Sequence, residues 1–470
     1  IERTSSALAS MNKLERYQGH FYNWYDTLTL APLRPLYVSS VDSGNLAGHL
    51  LTLRPGLRGL IDERIIGPRV FAGLDDTLAV IEDLAHDLSP REMSRLRQDV
   101  ETAQDSGPTT IKAANHWLGR LSAAADTLAS ALAVKPEDAV AAAAGNDLNW
   151  WVGALVRQIR DLRAELEFLA PWSLLPAIPD RLLRDMPGLG AVPTLRELST
   201  LDEKFAASIT GGHDADATKA ELASAAELHP LVTLGAFRAR ERIAVIEELA
   251  RQSGELALFD YSFLYDKSVH LLAVGYNVDQ RRRDSGHYDL LASEARLCSF
   301  VAIAQGAVPQ ENWFALGRQL TTTAGESILL SWSGSMFEYL MPLLVMPAFE
   351  NTLLDQTCRA AVKSQIQYGN QRGVPWGMSE SGYNTVDAGL NYQYRAFGVP
   401  GLGLKRGLAE DLVIAPYASV LALMVMPEAA CQNLQRLAND GLLGKLGMYE
   451  AIDFTPSRLQ RGQSSTVVRS

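Results

Sequence analysis

Apolar residues recur at helical spacing through most of the chain, and strict alternation is rare. Leu8, Met11 and Leu14 follow the N-cap-type Thr4 and Ser5, which predicts a helix over 3–17. Ser39–Asn45 opens a second helix from Leu46 to about Leu53. Runs over 76–103 and 110–168 are rich in Ala, Leu, Glu, Arg and Asp with few aromatics, and predict long helices. Pro171 to Pro193 reads as a connector, with further helices at 195–209, 215–227 and 235–253. The strand-like runs Leu256–Tyr261 and His270–Tyr276 flank the turn-like Tyr265–Ser268 and predict a short hairpin. A helix from Tyr288 to about Gln305 follows, and then aromatic, glycine-rich loops alternate with apolar helices.

This alternation predicts an all-α fold, an (α/α) toroid rather than a Rossmann-type sheet. The segments 1–73 and 253–470 would form the toroid, and 74–252 a helical insertion or spacer with solvated charged faces. Gly401, Gly403 and Gly407 imitate a dinucleotide loop, but their GxGxxxG spacing follows no convincing strand, so no nucleotide site is expected.

Composition narrows the picture by exclusion. A formal net charge of −11 argues against a nucleic-acid surface, which needs clustered Lys and Arg. Cys298, Cys358 and Cys431 form no CxxC pair and no disulfide framework, and predict inert thiols in a reducing compartment. The eight histidines show no zinc spacing, so neither a metal nor a cofactor is expected. No run reaches the roughly 18 apolar residues of a membrane span. The chain starts mid-pattern at Ile1, without a leader, and reads as a piece of something longer.

Sugar sites combine aromatic faces with carboxylates, Arg and Asn. Such groups cluster in Phe21–Asp26, Trp332–Tyr339, Trp376–Asn384, Asn391–Arg395 and Tyr449–Phe454. Five clusters of this kind point to carbohydrate. Glycosyl transfer needs one carboxyl to protonate the leaving oxygen and a second to attack or activate. Glu380, in a polar Ser-Glu-Ser loop, is the first choice; a helix-capping role is the bland alternative. Glu294 lies between Asp289 and Arg296, and Arg296 would keep it ionised for attack; the alternative is a structural ion pair. Glu338, among apolar side chains, is a substrate-binding or reserve carboxylate, followed by Asp42, Asp289, Glu450 and Asp453. A serine hydrolase is disfavoured because Gly334-Ser335 lacks the nucleophile elbow.

Five longer strings carry a family resemblance: Gly19–Asp26, Tyr37–Gly48, Tyr288–Arg296, Gly373–Ser381 and Asn391–Pro400. They resemble the middle region of bacterial cyclic β-1,2-glucan synthases. The resemblance implies an (α/α)6 toroid of glucoamylase-like type that cleaves linear β-1,2-glucan and rejoins it as a ring, with anomeric retention. It implies Glu294 as nucleophile and Glu380 as acid/base, roles that could be exchanged, with the acid able to act through a substrate hydroxyl. Trp24, Tyr25, Asp26, Asp42, Asp289, Trp332, Glu338, Trp376, Tyr383, Tyr392, Arg395 and Asp453 are the expected substrate contacts. The implied partners are a membrane glucosyltransferase and a phosphorylase-like domain of the same polypeptide, on the cytoplasmic side of the inner membrane. A hydrolytic endo-β-1,2-glucanase and a non-catalytic glucan-binding or scaffold domain are the alternatives.

Overall fold

The computed structural model describes residues 1–85, 91–132, 139–210, 218–323 and 325–469. It divides into two compact units, 2–54 with 252–470, and 55–251 with Ile1. The chain passes between them within the helices Ser40–Gly59 and Lys219–Leu256.

In the unit 55–251, the helices Pro68–Leu84, Arg91–Ser106, Ile111–Ala131 and Ala139–Leu169 pack in sequence, and the fourth returns to the first. This is a four-helix bundle. Phe71, Leu78, Leu96, Leu121, Leu128 and Ile159 are fully buried inside it. Its charged faces are cross-linked: Arg120 pairs with the buried Asp99 at 2.6 Å, and Arg97 with both Asp75 and Glu82.

Element types follow the hydrophobic pattern, while boundaries depart from it for local reasons. The runs 76–103 and 110–168 each contain two helices. The two helices expected over 215–227 and 235–253 are one, Lys219–Leu256, which absorbs Pro230 in its interior. The second helix starts early, at Ser40, and runs through Pro55 to Gly59. Proline interrupts one helical hydrogen bond without ending a helix whose packing is strong.

The unit 2–54 with 252–470 alternates helices with long loops. Its sheets have only two or three strands, so the all-α class with hairpins in the loops holds and is consistent with the expected toroid. The first strand expected at Leu256–Tyr261 does not form; Tyr265–Asp266, expected as part of the turn, pairs with Leu271–Leu272 instead. Gly275–Asn277 pairs instead with Tyr37–Ser39 and Arg282–Arg283. Ser381–Val386 and Tyr392–Arg395 form a hairpin with an irregularity between Tyr383 and Val386.

Candidate active site

The site begins where two helices touch. Helix Ser40–Gly59 crosses helix Ala295–Ala304 at Gly44, where an added Cβ would lie 2.3 Å from the Cys298 Cα. That approach brings Asn45, the next residue, to Glu294: its Nδ2 donates to Oε1 at 3.4 Å.

Glu294 sits at the N-cap position of helix Ala295–Ala304 but does not cap it. The helix expected from Tyr288 starts later because Ser293 takes a left-handed φ of 49°. Such a conformation costs a non-glycine residue on the order of 1–3 kcal/mol and needs support. Glu338 supplies it. Its carboxylate, 2% exposed, accepts from the Ser293 N–H at 3.3 Å, the Ser333 N–H at 2.9 Å and the Ser333 hydroxyl at 2.7 Å. The Ser293 hydroxyl is thereby free to donate to Glu294 Oε2. Both carboxylate oxygens of Glu338 are engaged, one by Ser293 and the other by Ser333.

A correction concerns Arg296. Its guanidinium donates to the Tyr339 carbonyl at 2.9 Å and does not pair with Glu294. Burial instead raises the Glu294 pKa, and the Asp42 charge adds to it. Hydrogen bonds from Ser293 and Asn45 oppose both.

Glu380 is presented by a clamped loop. The Gln365 side-chain amide grips Met378 at both backbone groups, accepting from N–H at 2.8 Å and donating to C=O at 2.9 Å. The Asn433 amide grips Trp376 the same way, at 3.1 and 2.7 Å. The Met378 carbonyl also accepts from Met336 N–H at 3.1 Å, and Ser379 Oγ from Phe337 N–H at 3.0 Å. The loop is therefore tied to the helix Met336–Leu340 that carries Glu338. The Glu380 carboxyl itself takes no hydrogen bond among the described residues. Burial pushes its pKa up to about 7, helped by the charges of Glu294, Glu338 and Asp42 and opposed by Lys405. Two carboxyls therefore share one electrostatic field, one of them hydrogen-bonded and the other bare.

Around the pair, Trp332 is 56% exposed. Its N–H donates to Leu291 C=O at 3.0 Å, and its C=O accepts from Lys405 N–H at 2.9 Å. Asp42 is exposed and accepts from Asn23 at 3.2 Å. Tyr394, which sequence reasoning left out, is 65% exposed, and its phenol is pushed up to about 12 by burial and the charges of Glu380, Glu450 and Glu294. Trp24 is exposed on its loop.

Other expected contacts hold their own surroundings. Trp376 is buried. The Tyr25 hydroxyl bridges Glu15 C=O and Tyr22 N–H, and Asp26 caps the turn at Leu28 and Thr29. Asp453 is fully buried on Arg458, with further bonds from Asn384 and Thr455. Arg395 pairs with Asp411 at 2.5 Å, and Tyr383 lies between the Phe397 edge and the Arg458 guanidinium. Tyr392 is half-buried in its hairpin, and Asp289 packs against Gly317, where a Cβ would meet its carboxylate at 2.1 Å. Ser293, Asn45 and Tyr394 lie inside the quoted motifs without having been singled out. Gln365 and Asn433 had one signal, a polar side chain on an otherwise buried helix face.

Residues 286–467 match the family model described as "Putative glucoamylase". Over 482 aligned residues the chain is 37% identical to the cyclic beta-(1,2)-glucan synthase NdvB of Rhizobium meliloti (strain 1021). The match takes in all of this chain and 15% of that protein's length. Among solved structures, a mutant endo-β-1,2-glucanase from Talaromyces funiculosus with β-1,2-glucan is 14% identical with a TM-score of 0.38, covering 72% of this chain and 69% of that one. The same enzyme with sophorose is 13% identical with a TM-score of 0.37, covering 73% and 67%.

Proposed function

We propose that this chain catalyses intramolecular transglycosylation of linear β-1,2-glucan, closing it into a ring with retention of anomeric configuration. The full-length similarity to a cyclic β-1,2-glucan synthase supports the substrate and reaction. The observation that carries the mechanism is the contrast between the two glutamates: Glu294 held by Ser293 and Asn45, and Glu380 bare with a pKa near 7.

Glu294 attacks the anomeric carbon as the glycosidic C–O bond breaks, and Glu380 gives its proton to the leaving oxygen, directly or through a substrate hydroxyl. The hydrogen bonds to Glu294 favour its ionised form, and that charge holds the proton on Glu380. In the second half, a hydroxyl at the non-reducing end of the same glucan attacks the glycosyl-enzyme, returns its proton to Glu380 and releases the Glu294 carboxylate. The exposed Trp332 and Tyr394 rings are the sugar platforms nearest this chemistry, and Trp24 and Asp42 extend the contact surface. Holding an acceptor sugar over the intermediate favours ring closure over hydrolysis.

The chain spans only 15% of its curated relative. We assign the rest of a parent polypeptide a membrane glucosyltransferase and a phosphorylase-like trimming domain, with this part on the cytoplasmic side. No described helix is long and apolar enough to cross a membrane.

Azide rescue separates the two roles. E294A should turn over activated β-glucosides only with added azide and yield the α-glucosyl azide. E380A should yield the β-azide. Exchange of these outcomes would reverse the roles, and full turnover by both variants without azide would reject the site.

A further inference from the structure

Arg296 is 3% exposed, yet its charge has no counter-ion. Its one backbone contact is the bond to the Tyr339 carbonyl at 2.9 Å, its Nε has no hydrogen-bond partner, and no carboxylate pairs with it among the described residues. The Cys358 sulfur is its neighbour, but burial raises that thiol's pKa, so at neutral pH it is uncharged and supplies no compensating anion. Taking a cation out of water without a partner costs several kcal/mol, and native interiors seldom leave it so.

Beside this guanidinium lies a cavity of about 80 Å³, walled by Met346, Phe349 and the Cys358 side chain. Its only other charged groups, Asp355 and Arg359, are bridged to each other at 3.2 Å. At about 30 Å³ per water, the volume admits a halide with a water or two. Apart from the bridged Asp355 and Arg359, and from Thr352 and Cys358, whose polar groups are engaged with backbone, the other lining residues are apolar, so the walls offer Arg296 no unpaired anion. We propose that this cavity is a binding site for a small monovalent anion of chloride size, held by Arg296. Its position links it to the candidate site, because Arg296 is the second residue of the helix that begins beside Glu294. The proposal does not depend on the glucan reaction.

The test uses the whole chain. Crystals soaked in bromide are expected to show an anomalous peak in the cavity within hydrogen-bond reach of the Arg296 guanidinium. In solution, Tm should rise with the logarithm of chloride concentration, and gluconate of equal ionic strength, far bulkier than the void, should not reproduce the rise. R296M should lose the chloride response. A cavity without an anomalous peak, or a chloride response that R296M shares, would overturn the proposal. If R296M does not fold, the wild-type bromide map still decides.

Discussion

Glu380 has a raised pKa and no hydrogen-bond partner, and these properties set the behaviour of the residue with pH. In the proposed reaction protonated Glu380 is the proton donor, so kcat/KM should fall as pH rises through about 7, a limb visible in a pH–rate profile and absent from any residual activity of E380Q. Stability carries the same sign. A carboxyl whose folded pKa lies above its unfolded value stabilises the fold below the unfolded pKa and loses that contribution as pH climbs through about 7. E380Q should therefore be more stable than wild type at pH 8, by on the order of 1–3 kcal/mol, and the gap should close in acid. Urea midpoints at the two pH values check this. Glu338 gives the contrasting case. E338A strips the acceptor from Ser293 and Ser333, and should cost about 2–4 kcal/mol as well as turnover, because the strained Ser293 loses its support. Of these residues, Glu380 was marked in the sequence by its polar Ser-Glu-Ser loop, Glu294 by Asp289 and Arg296 beside it, and Glu338 by its apolar neighbours. That Glu338 holds the Ser293 turn was not legible, since Ser293 lies 45 residues away.

Elements matter here through where they touch and what they clamp. Gly44 lets two helices meet, and G44A should destabilise the chain by about 1–3 kcal/mol by forcing them apart, with Asn45 drawn away from Glu294. Urea unfolding measures the first effect and a loss of turnover the second. Helix Leu353–Arg372, capped by Thr352 and ended by left-handed Gly373, serves the site through Gln365. Q365A leaves the buried Met378 N–H unpaired and removes one of the two donors to its C=O, and should cost about 1–3 kcal/mol and lower kcat more than it raises KM. Helical periodicity located most of these elements. It missed their junctions, because Ser293's left-handed turn and the tolerance of Pro230 are decided by tertiary partners.

At the scale of the whole chain, a four-helix bundle occupies one unit while Glu294, Glu380, Trp332, Tyr394 and Trp24 lie in the other. Composition excluded nucleic acid and left sugar open. The long motifs named the chemistry, because their spacing is a property of the family and not of any single helix. Local patterns could not show that Trp376 is buried, that the Tyr25 hydroxyl donates to Glu15 C=O or that Asp453 pairs with Arg458, since a buried aromatic and an exposed one share the same sequence context. The most direct measurement is the mass of the products after wild type, E294Q and E380Q are each incubated with linear β-1,2-glucan. Wild type should give rings one water lighter than the linear chains, and both variants should leave the glucan unchanged. A purely linear ladder from wild type, or rings from either variant, would contradict ring closure by this glutamate pair.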